Sequence, residues 1–311
     1  MPQSQTNRFE IPIVVFIYRR PYLAAQVFEQ IRRVKPTKLY VIADGPQNED
    51  VRQACQETRA LFSDSQIDWD CQIIRNFSDT NMGLCKRIQS GLGHVFESED
   101  SAIILEDDCL PNESFFGFCR KMLDAYKDDK RIGAVAGSNF FQQDYISDTP
   151  YFFSRVFQCY GWATWSDRWS LYDANIHKWH GWKNRQLIQY ITGSAIAAKS
   201  RMQEVRALEN DRVQSWAYKF ALSLLLHSMQ CIIPRNNMVS NIGSGIDSTN
   251  SLSQNEPFSL LPTTEMDLNF EVKQDLMPPC EIYDSLFFKS QQKLRRFHKK
   301  LFNLIYINLV K

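Results

Sequence analysis

The chain has 311 residues, and its 44% hydrophobic and 23% charged residues suit a folded protein and exclude wholesale disorder. The net charge of +1 is unevenly distributed, because residues 289–311 hold seven basic and no acidic groups, while the rest holds 29 basic against 35 acidic groups. An acidic body matches a nucleic-acid backbone poorly, so we expect no nucleic-acid partner.

The N-terminal stretch has no apolar run of signal-peptide kind, and no window reaches about 18 uninterrupted apolar residues. The eight cysteines are scattered singly without a C-x-x-C pair, which argues against a structural zinc site. We therefore expect reduced thiols and a cytoplasmic protein.

Residues 1–137 alternate strand patterns with helical patterns. Pro21 suits the first turn of a helix, and Asp44-Gly45-Pro46 is a strong turn signal. This alternation predicts an α/β fold with a mostly parallel central sheet and helices on both faces. The predicted strands are Ile11–Ile17, Leu39–Ala43, Cys71–Ile74, Ala102–Leu105 and Ile132–Ala136, and the predicted helices cover 21–34, 50–62, 84–96 and 113–126.

The pattern changes after residue 137. Residues 138–288 are expected to form a second half of the same domain, with aromatic-rich loops first and a mainly helical stretch that breaks near Asp211. Short strands are predicted at 232–233 and 238–239, and the polar stretch 243–254 is interpreted as a mobile loop. Residues 289–311 are interpreted as a basic amphipathic C-terminal helix.

Three carboxylates follow directly on a predicted buried strand: Glu106, Asp107 and Asp108. Strand alternation would point Glu106 and Asp108 one way and Asp107 the other. Like charges this close raise each other's pKa unless a cation lies among them, and hard divalent cations prefer oxygen ligands. Ligands of open α/β sheets bind beyond the carboxyl ends of strands. The cluster therefore predicts Mn²⁺ or Mg²⁺ on a diphosphate; the alternative is a solvated acidic turn.

Basic residues follow the neighbouring predicted elements. Arg19 and Arg20 come just after the first strand, and Lys86 and Arg87 open the helix that precedes the acidic strand. That helix starts after Gly83, and its N-terminal N–H groups would add donors for an anion. Taken alone, each of these basic residues could equally be an ordinary solvent-exposed side chain on the protein surface.

The stretch NMGLCKRIQSGLGHVFESEDSAIILEDDCLPNESFFGFC resembles the donor-site region of GT-A glycosyltransferases. It is most similar to bacterial surface-glycan transferases related to N-acetylglucosaminyltransferase I. The similarity covers roughly residues 10–255 and continues through YRRP (18–21), ADGP (43–46), GWATW (161–165), SWAY (215–218) and PRNNMVSNIG (234–243). It implies a nucleotide-sugar-binding half over 1–137, an acceptor-side half over 138–288, and inversion at the anomeric carbon.

The resemblance also implies a role for single residues. Asp108 matches the direct protein ligand of Mn²⁺, and the segment that starts at Gly243 resembles a loop that orders over the donor. The other matches all concern the donor: Arg20 near the phosphates, Asp44 on the uracil, Arg87 near the base, Glu106 on the transferred sugar and Asp107 near the ribose.

The sequence departs from the family at the general base. The family has a carboxylate two residues before the Trp of SWAY, and this chain has Gln214 there. An amide does not accept a proton at neutral pH. Asp211 is the nearest acid, about one helical turn away, and is the candidate base in its place.

Two tryptophans, Trp162 and Trp216, are candidates for stacking on an acceptor sugar, with core packing as the alternative. In the C-terminal stretch Leu294, Phe297, Leu301, Leu304 and Ile305 recur at helical spacing among basic residues. That pattern predicts attachment to an anionic membrane surface at the inner face of the plasma membrane, or else a helix docked on the core.

The sequence thus predicts a metal-dependent glycosyltransferase that moves a sugar, such as N-acetylglucosamine, from a UDP-sugar to a hydroxyl of a glycan or lipid-linked glycan. Two alternatives stay open. A sugar-nucleotide nucleotidyltransferase uses a related fold and metal, although IYRRPY lacks the glycines usual after its first strand. A glycan- or nucleotide-binding module without turnover would agree with Gln214.

Overall fold

A computed structural model describes residues 8–142, 146–179, 185–243, 258–273 and 278–294. Ten strands lie within these ranges. In chain order they are β1 (Ile13–Ile17), β2 (Lys38–Ala43), β3 (Gln72–Phe77), β4 (Ser101–Glu106), β5 (Cys109–Pro111), β6 (Ile132–Ala136), β7 (Tyr151–Ser154), β8 (Trp162–Trp165), β9 (Gln230–Pro234) and β10 (Val239–Asn241).

Nine α-helices lie in the same described ranges. They are α1 (Pro21–Val34), α2 (Arg52–Ala60), α3 (Leu84–Phe96), α4 (Glu113–Tyr126), α5 (Ser166–Trp169), α6 (Arg185–Thr192), α7 (Ala195–Glu209), α8 (Trp216–Leu226) and α9 (281–294). None of the described helices is long and apolar enough to cross a membrane.

Eight strands form one central sheet in the order β3-β2-β1-β4-β8-β6-β9-β7. The pairs of β1 with β2, β1 with β4, β2 with β3 and β6 with β9 are parallel, while β8 and β7 are antiparallel to their neighbours. The α/β class and the mostly parallel sheet predicted from the sequence are confirmed. A second sheet pairs β5 with β10 in antiparallel register.

Helices cover both faces of the central sheet. Ile13, Val15 and Ile17 of β1 belong to the core cluster that contains buried residues of α1 and α4. Val14 and Phe16, which alternate with them, belong to the cluster that contains buried residues of α3 and α8. All five residues of β1 are buried, as a fully apolar strand between two helical layers must be.

Two strands fall in the stretch that the sequence assigned to aromatic loops. β8 lies between β4 and β6, and β7 forms an edge beyond β9, so the chain on both sides of residue 137 contributes to one sheet. Both strands have four residues, all buried, and so lack the apolar–polar alternation that marks a half-exposed strand. β3 also extends to Phe77, because its six residues pair with β2.

The C-terminal helix begins at 281 rather than at the predicted 289. Its first turns dock on the protein, since Tyr283 and Phe288 are buried and Asp284 accepts a hydrogen bond from the Ser154 hydroxyl at 2.5 Å. The predicted amphipathic stripe beyond Leu294 lies outside the described residues.

Candidate active site

The three carboxylates lie where β4 ends, at the carboxyl edge of the parallel strands. β4 stops at Glu106, which pairs with Phe16 of β1. The chain turns at Asp107 and Asp108 before β5, so the strand alternation predicted for the three side chains does not continue past Glu106. The side chains of Asp107 and Asp108 are 4% and 15% exposed.

Arg20 binds both aspartates. Its Nη2 donates to Asp107 Oδ1, and the same nitrogen lies 2.9 Å from Asp108 Oδ2. The backbone N–H of Tyr18 donates to the other oxygen of Asp107 at 3.2 Å. Asp107 is therefore held by β1 and its following loop, which leaves Asp108 as the more accessible aspartate of the pair.

Burial and mutual repulsion shift the titration of this cluster. Loss of solvent, with repulsion from Asp108 and Asp107, raises the pKa of Glu106 to about 8. Burial also raises the pKa of Asp107 to about 6, although Arg20 opposes that rise. Burial alone would lower the pKa of Arg20, but the negative charges of Asp107 and Asp108 have the larger effect, and the pKa of Arg20 is raised. One arginine is thus shared among three acids.

Gly243 closes over the aspartate that the resemblance assigns to the metal. The backbone N–H of Ile242 donates to the Asp108 carbonyl at 2.8 Å, which continues the β5–β10 pairing. A Cβ atom added at Gly243 would lie 2.1 Å from Asp108 Oδ2 and 2.8 Å from Arg20 Nη1. Any side chain there would displace the Asp108 carboxylate or the Arg20 guanidinium. Residues 244–250, predicted to continue as a loop over the donor, lie outside the described residues.

Asp44 organises the neighbouring loop at the end of β2. Its carboxylate accepts from the backbone N–H of Met82 at 2.8 Å and of Gly83 at 2.9 Å, besides that of Gly45. Gly45 packs so closely that a Cβ there would lie 2.4 Å from the Thr80 carbonyl carbon. The side chain predicted to bind a uracil is thus buried and fixes the 80–83 loop ahead of α3.

Arg87 is placed differently from its predicted role near a nucleobase. Its side chain is buried, with Nε donating to the Ala43 carbonyl at 3.1 Å and Nη2 to Asn76 Oδ1 at 2.8 Å. Burial lowers the pKa of this guanidinium. The structure therefore assigns Arg87 to joining α3 to the ends of β2 and β3, because its donors are spent on protein oxygens.

Asp211 and Gln214 form a hydrogen-bonded pair between α7 and α8. Gln214 Nε2 donates to Asp211 Oδ1 at 2.8 Å, and both side chains are exposed. Asp211 has a left-handed backbone with φ of 52°, a conformation that aspartate tolerates better than most residues. Ser215 caps α8 by accepting from Tyr218 N at 3.2 Å. The amide that replaces the family carboxylate thus contacts the candidate base.

Trp162 and Trp216 pack in the core, which corrects their prediction as acceptor-binding rings. They are 1% and 4% exposed, and their rings stack on each other with centroids 5.6 Å apart. Neither indole offers a face to a sugar. Sequence composition did not reveal this, since tryptophan suits both roles.

Sequence reasoning also missed two contributors to the site. The Tyr18 backbone holds Asp107, and Asn241 Oδ1 accepts from the Gly243 N–H at 3.1 Å. Both lie inside the quoted motifs YRRP and PRNNMVSNIG, but only the fold brings them to the acidic cluster.

The described residues contain no group of three or more His, Cys, Asp or Glu side chains placed to hold a metal ion. Of the two aspartates that Arg20 binds, Asp108 is the partly exposed one, and it lies in a cluster of mutually repelling carboxylates. This donor set fits a cation that takes one protein ligand and completes its shell with ligand and water oxygens, as Mg²⁺ does on phosphates.

Comparison with known proteins gives limited matches. The chain is similar to a crystal structure of the galactosyltransferase LgtC in complex with donor and acceptor sugar analogues, at 13% identity over 69% of this chain and 70% of that chain, with a TM-score of 0.33. It is also similar to the structure of an active-site mutant of LgtC, at 14% identity, the same coverage and a TM-score of 0.35. Similarity this low carries no argument about activity.

No protein-family model matches the sequence, and a search of curated proteins gives no significant match.

Proposed function

We propose that the chain is a metal-dependent glycosyltransferase of GT-A type that uses a UDP-sugar donor. The observation that carries the proposal is the acidic end of β4, where Asp108 stays partly exposed between Arg20 and Gly243 at the carboxyl edge of the parallel strands. In the reaction the acceptor hydroxyl oxygen bonds to the anomeric carbon, the bond from that carbon to the diphosphate breaks, and UDP leaves. Inversion of that carbon follows only from the family resemblance.

Asp108 is the residue that would hold Mn²⁺ or Mg²⁺. When bound, such an ion stabilises the negative charge that develops on the leaving diphosphate. Arg20 forms ion pairs with Asp107 and Asp108 and places a fixed positive charge beside them. Glu106 stands at the same strand end, where it would meet the transferred sugar.

Asp211 is the proposed general base for the acceptor hydroxyl. Gln214 donates to one carboxylate oxygen, so it orients the group and leaves the other oxygen to accept the proton. The loop that carries Asp211 and Gln214 leads into α8, which packs against α3. That position puts the pair near the loop held by Asp44, which we assign to the nucleotide side.

The acceptor is proposed to be a glycan or lipid-linked glycan of a cell surface, and the donor sugar N-acetylglucosamine or a related hexose. Work at the inner face of the plasma membrane would follow from the basic residues 295–311, which have the composition of an anionic-surface anchor.

A nucleotidyltransferase is less favoured, because residues 13–21 lack a glycine-rich loop and Tyr18 and Arg20 are instead engaged with Asp107. A binding module without turnover would keep UDP affinity and lack transfer. Isothermal titration with UDP, with and without Mn²⁺, followed by a donor panel scored by UDP release, separates the three. Pyrophosphate release from a nucleoside triphosphate would instead indicate the nucleotidyltransferase.

A further inference from the structure

Three phenylalanines from distant parts of the chain stack in parallel. Phe140 follows β6, Phe258 lies in the segment 258–273, and Phe287 lies in α9. Phe140 and Phe258 have centroids 4.2 Å apart and an interplanar angle of 8°, and Phe287 lies 6.2 Å from Phe258 at 16°. Phe140 and Phe287 are half-buried and Phe258 is buried, so Phe140 and Phe287 are the partly exposed members of this aromatic wall.

Buried polar residues hold the wall in place. Asn139 is buried and donates from Nδ2 to the Pro234 carbonyl at 2.9 Å, while its N–H donates to Asn237 Oδ1 at 3.0 Å. Asn237 in turn donates to the Pro262 carbonyl at 3.0 Å, which fixes the segment that carries Phe258. These hydrogen bonds fix the backbone that carries Phe140 and Phe258. The two rings therefore lose little further freedom when a ligand binds.

The wall adjoins the acidic cluster. The N–H of Leu260, two residues after Phe258, donates to the Asn241 carbonyl at 2.9 Å, and Asn241 supports Gly243 over Asp108. The Tyr160 ring lies 5.6 Å from Phe140. Tyr160 lies two residues before β8, which pairs with β4, the strand that ends at Glu106.

We propose that the aromatic wall formed by Phe140, Phe258 and Phe287 is the acceptor subsite and binds a pyranose ring of the acceptor glycan. The C–H groups on one face of a sugar are apolar and pack on flat aromatic rings, while its hydroxyls stay solvated. Leu260 extends this surface: the residue is 60% exposed, and its φ of 56° is strained for a bulky side chain. The subsite rests on the proposed transferase function.

The experiment compares Phe140→Leu and Phe287→Leu with the unchanged full chain. Leucine keeps an apolar side chain and removes the flat face. Affinity for a panel of water-soluble oligosaccharides, ending in hexose or N-acetylhexosamine, is measured by titration with UDP and Mn²⁺ present. We expect each variant to bind the preferred oligosaccharide roughly 3- to 10-fold more weakly, with UDP affinity unchanged.

The ring-retaining variants Phe140→Tyr and Phe287→Tyr should bind the oligosaccharide as the unchanged chain does. Phe62→Leu is the matched control, since this buried ring packs on Phe28 at 4.9 Å, in the core cluster of α1 and α4. Equal oligosaccharide affinity in the leucine variants and the unchanged chain would overturn the subsite, as would an equal loss in Phe62→Leu.

A second measurement needs no variant. Saturation of aromatic protons in the unchanged protein should transfer to C–H protons of the bound oligosaccharide, and absence of transfer overturns the proposal. UDP binding is measured separately, so a chain that binds the oligosaccharide through these rings without binding UDP would refute the transferase and keep the glycan site.

Discussion

Gly243 lies so close to Asp108 that a side chain at this glycine would occupy the space of the Asp108 carboxylate, 2.1 Å from its Oδ2. The contact joins residues 135 positions apart through the pairing of β5 with β10. The backbone after β10 therefore limits the space at Asp108, where we propose that a metal and a diphosphate bind.

Gly243→Ala is expected to displace Asp108 or Arg20 and weaken Mn²⁺-dependent UDP binding. Overpacking costs about 1–3 kcal/mol, which corresponds to roughly 5- to 150-fold in affinity. Gly93→Ala is the matched control, because a Cβ there meets no atom within 4 Å and alanine is the better helix residue. Titration with UDP in the presence of Mn²⁺ measures this. An unchanged UDP affinity in Gly243→Ala would show that Gly243 does not form part of the donor site.

Asp108→Asn is expected to abolish the gain in UDP affinity that Mn²⁺ confers, because it removes the charged oxygen ligand that we propose for the metal. The fold should survive, since the backbone of Asp108 still pairs with Ile242. Asp70→Asn is the control, as that carboxylate pairs with Arg8 in an exposed ion pair. If Mn²⁺ still raises the UDP affinity of Asp108→Asn as before, the acidic cluster has no part in metal binding.

Asp211→Asn should lower kcat by roughly 10²–10⁴-fold, the usual contribution of a positioned acid or base, with donor affinity nearly unchanged. Gln214→Asp introduces the carboxylate found in the family that the sequence resembles, and kcat should rise if Asp211 is the poorer base. UDP release at saturating donor and acceptor measures both variants. An equal loss of donor affinity and kcat in Asp211→Asn would indicate a structural role.

Much of the first half could be predicted from local sequence. The run Ile11–Ile17 and Pro21 locate β1 and the start of α1 within a few residues, because burial on both faces and a fixed proline φ are local constraints. β8 was missed, since its aromatic residues carry no strand alternation. The packing of Trp162 on Trp216 and of Gly243 on Asp108 joins residues that are far apart in the sequence, so no local sequence pattern predicts it.

Glu265 gives the chain a pH-dependent link between segment 258–273 and α4. Its carboxylate accepts from the N–H groups of Glu113 and Ser114 at 3.1 and 2.9 Å. Burial alone would raise the pKa of Glu265, but these hydrogen bonds and that of the Ser114 hydroxyl outweigh it and lower the pKa from 4.5. A depressed pKa in the folded state stabilises the protein above about pH 4.5, and that stabilisation is lost as the pH falls below it.

Glu265→Gln should therefore lower the free energy of unfolding at pH 7 by about 0.5–2 kcal/mol, the usual range for a helix cap. The two proteins should converge as the pH falls toward 3. Denaturant unfolding at several pH values measures this, with exposed Glu271→Gln as the control. A difference that is constant with pH would assign the effect to something other than the carboxylate charge.

The basic C-terminal stretch should decide whether the protein binds membranes. Arg295, Arg296, Lys299 and Lys300 lie just beyond the described part of α9, and each would contribute about 1 kcal/mol at an anionic surface, within a Debye length of about 8 Å. The full chain should co-sediment with anionic vesicles, not with neutral ones, and less strongly as salt rises. Truncation must spare α9, because Phe288 is buried and Gln292 donates to the Ile196 carbonyl at 3.5 Å.

A chain that ends at residue 294 should stay folded, keep UDP binding and lose vesicle binding. A cut at Phe288, by contrast, should destabilise the protein, because it removes the last turns of a docked helix. Circular dichroism and vesicle sedimentation of both truncations test this. If the chain ending at 294 unfolds, residues 295–311 are needed for the core, and the membrane role is excluded.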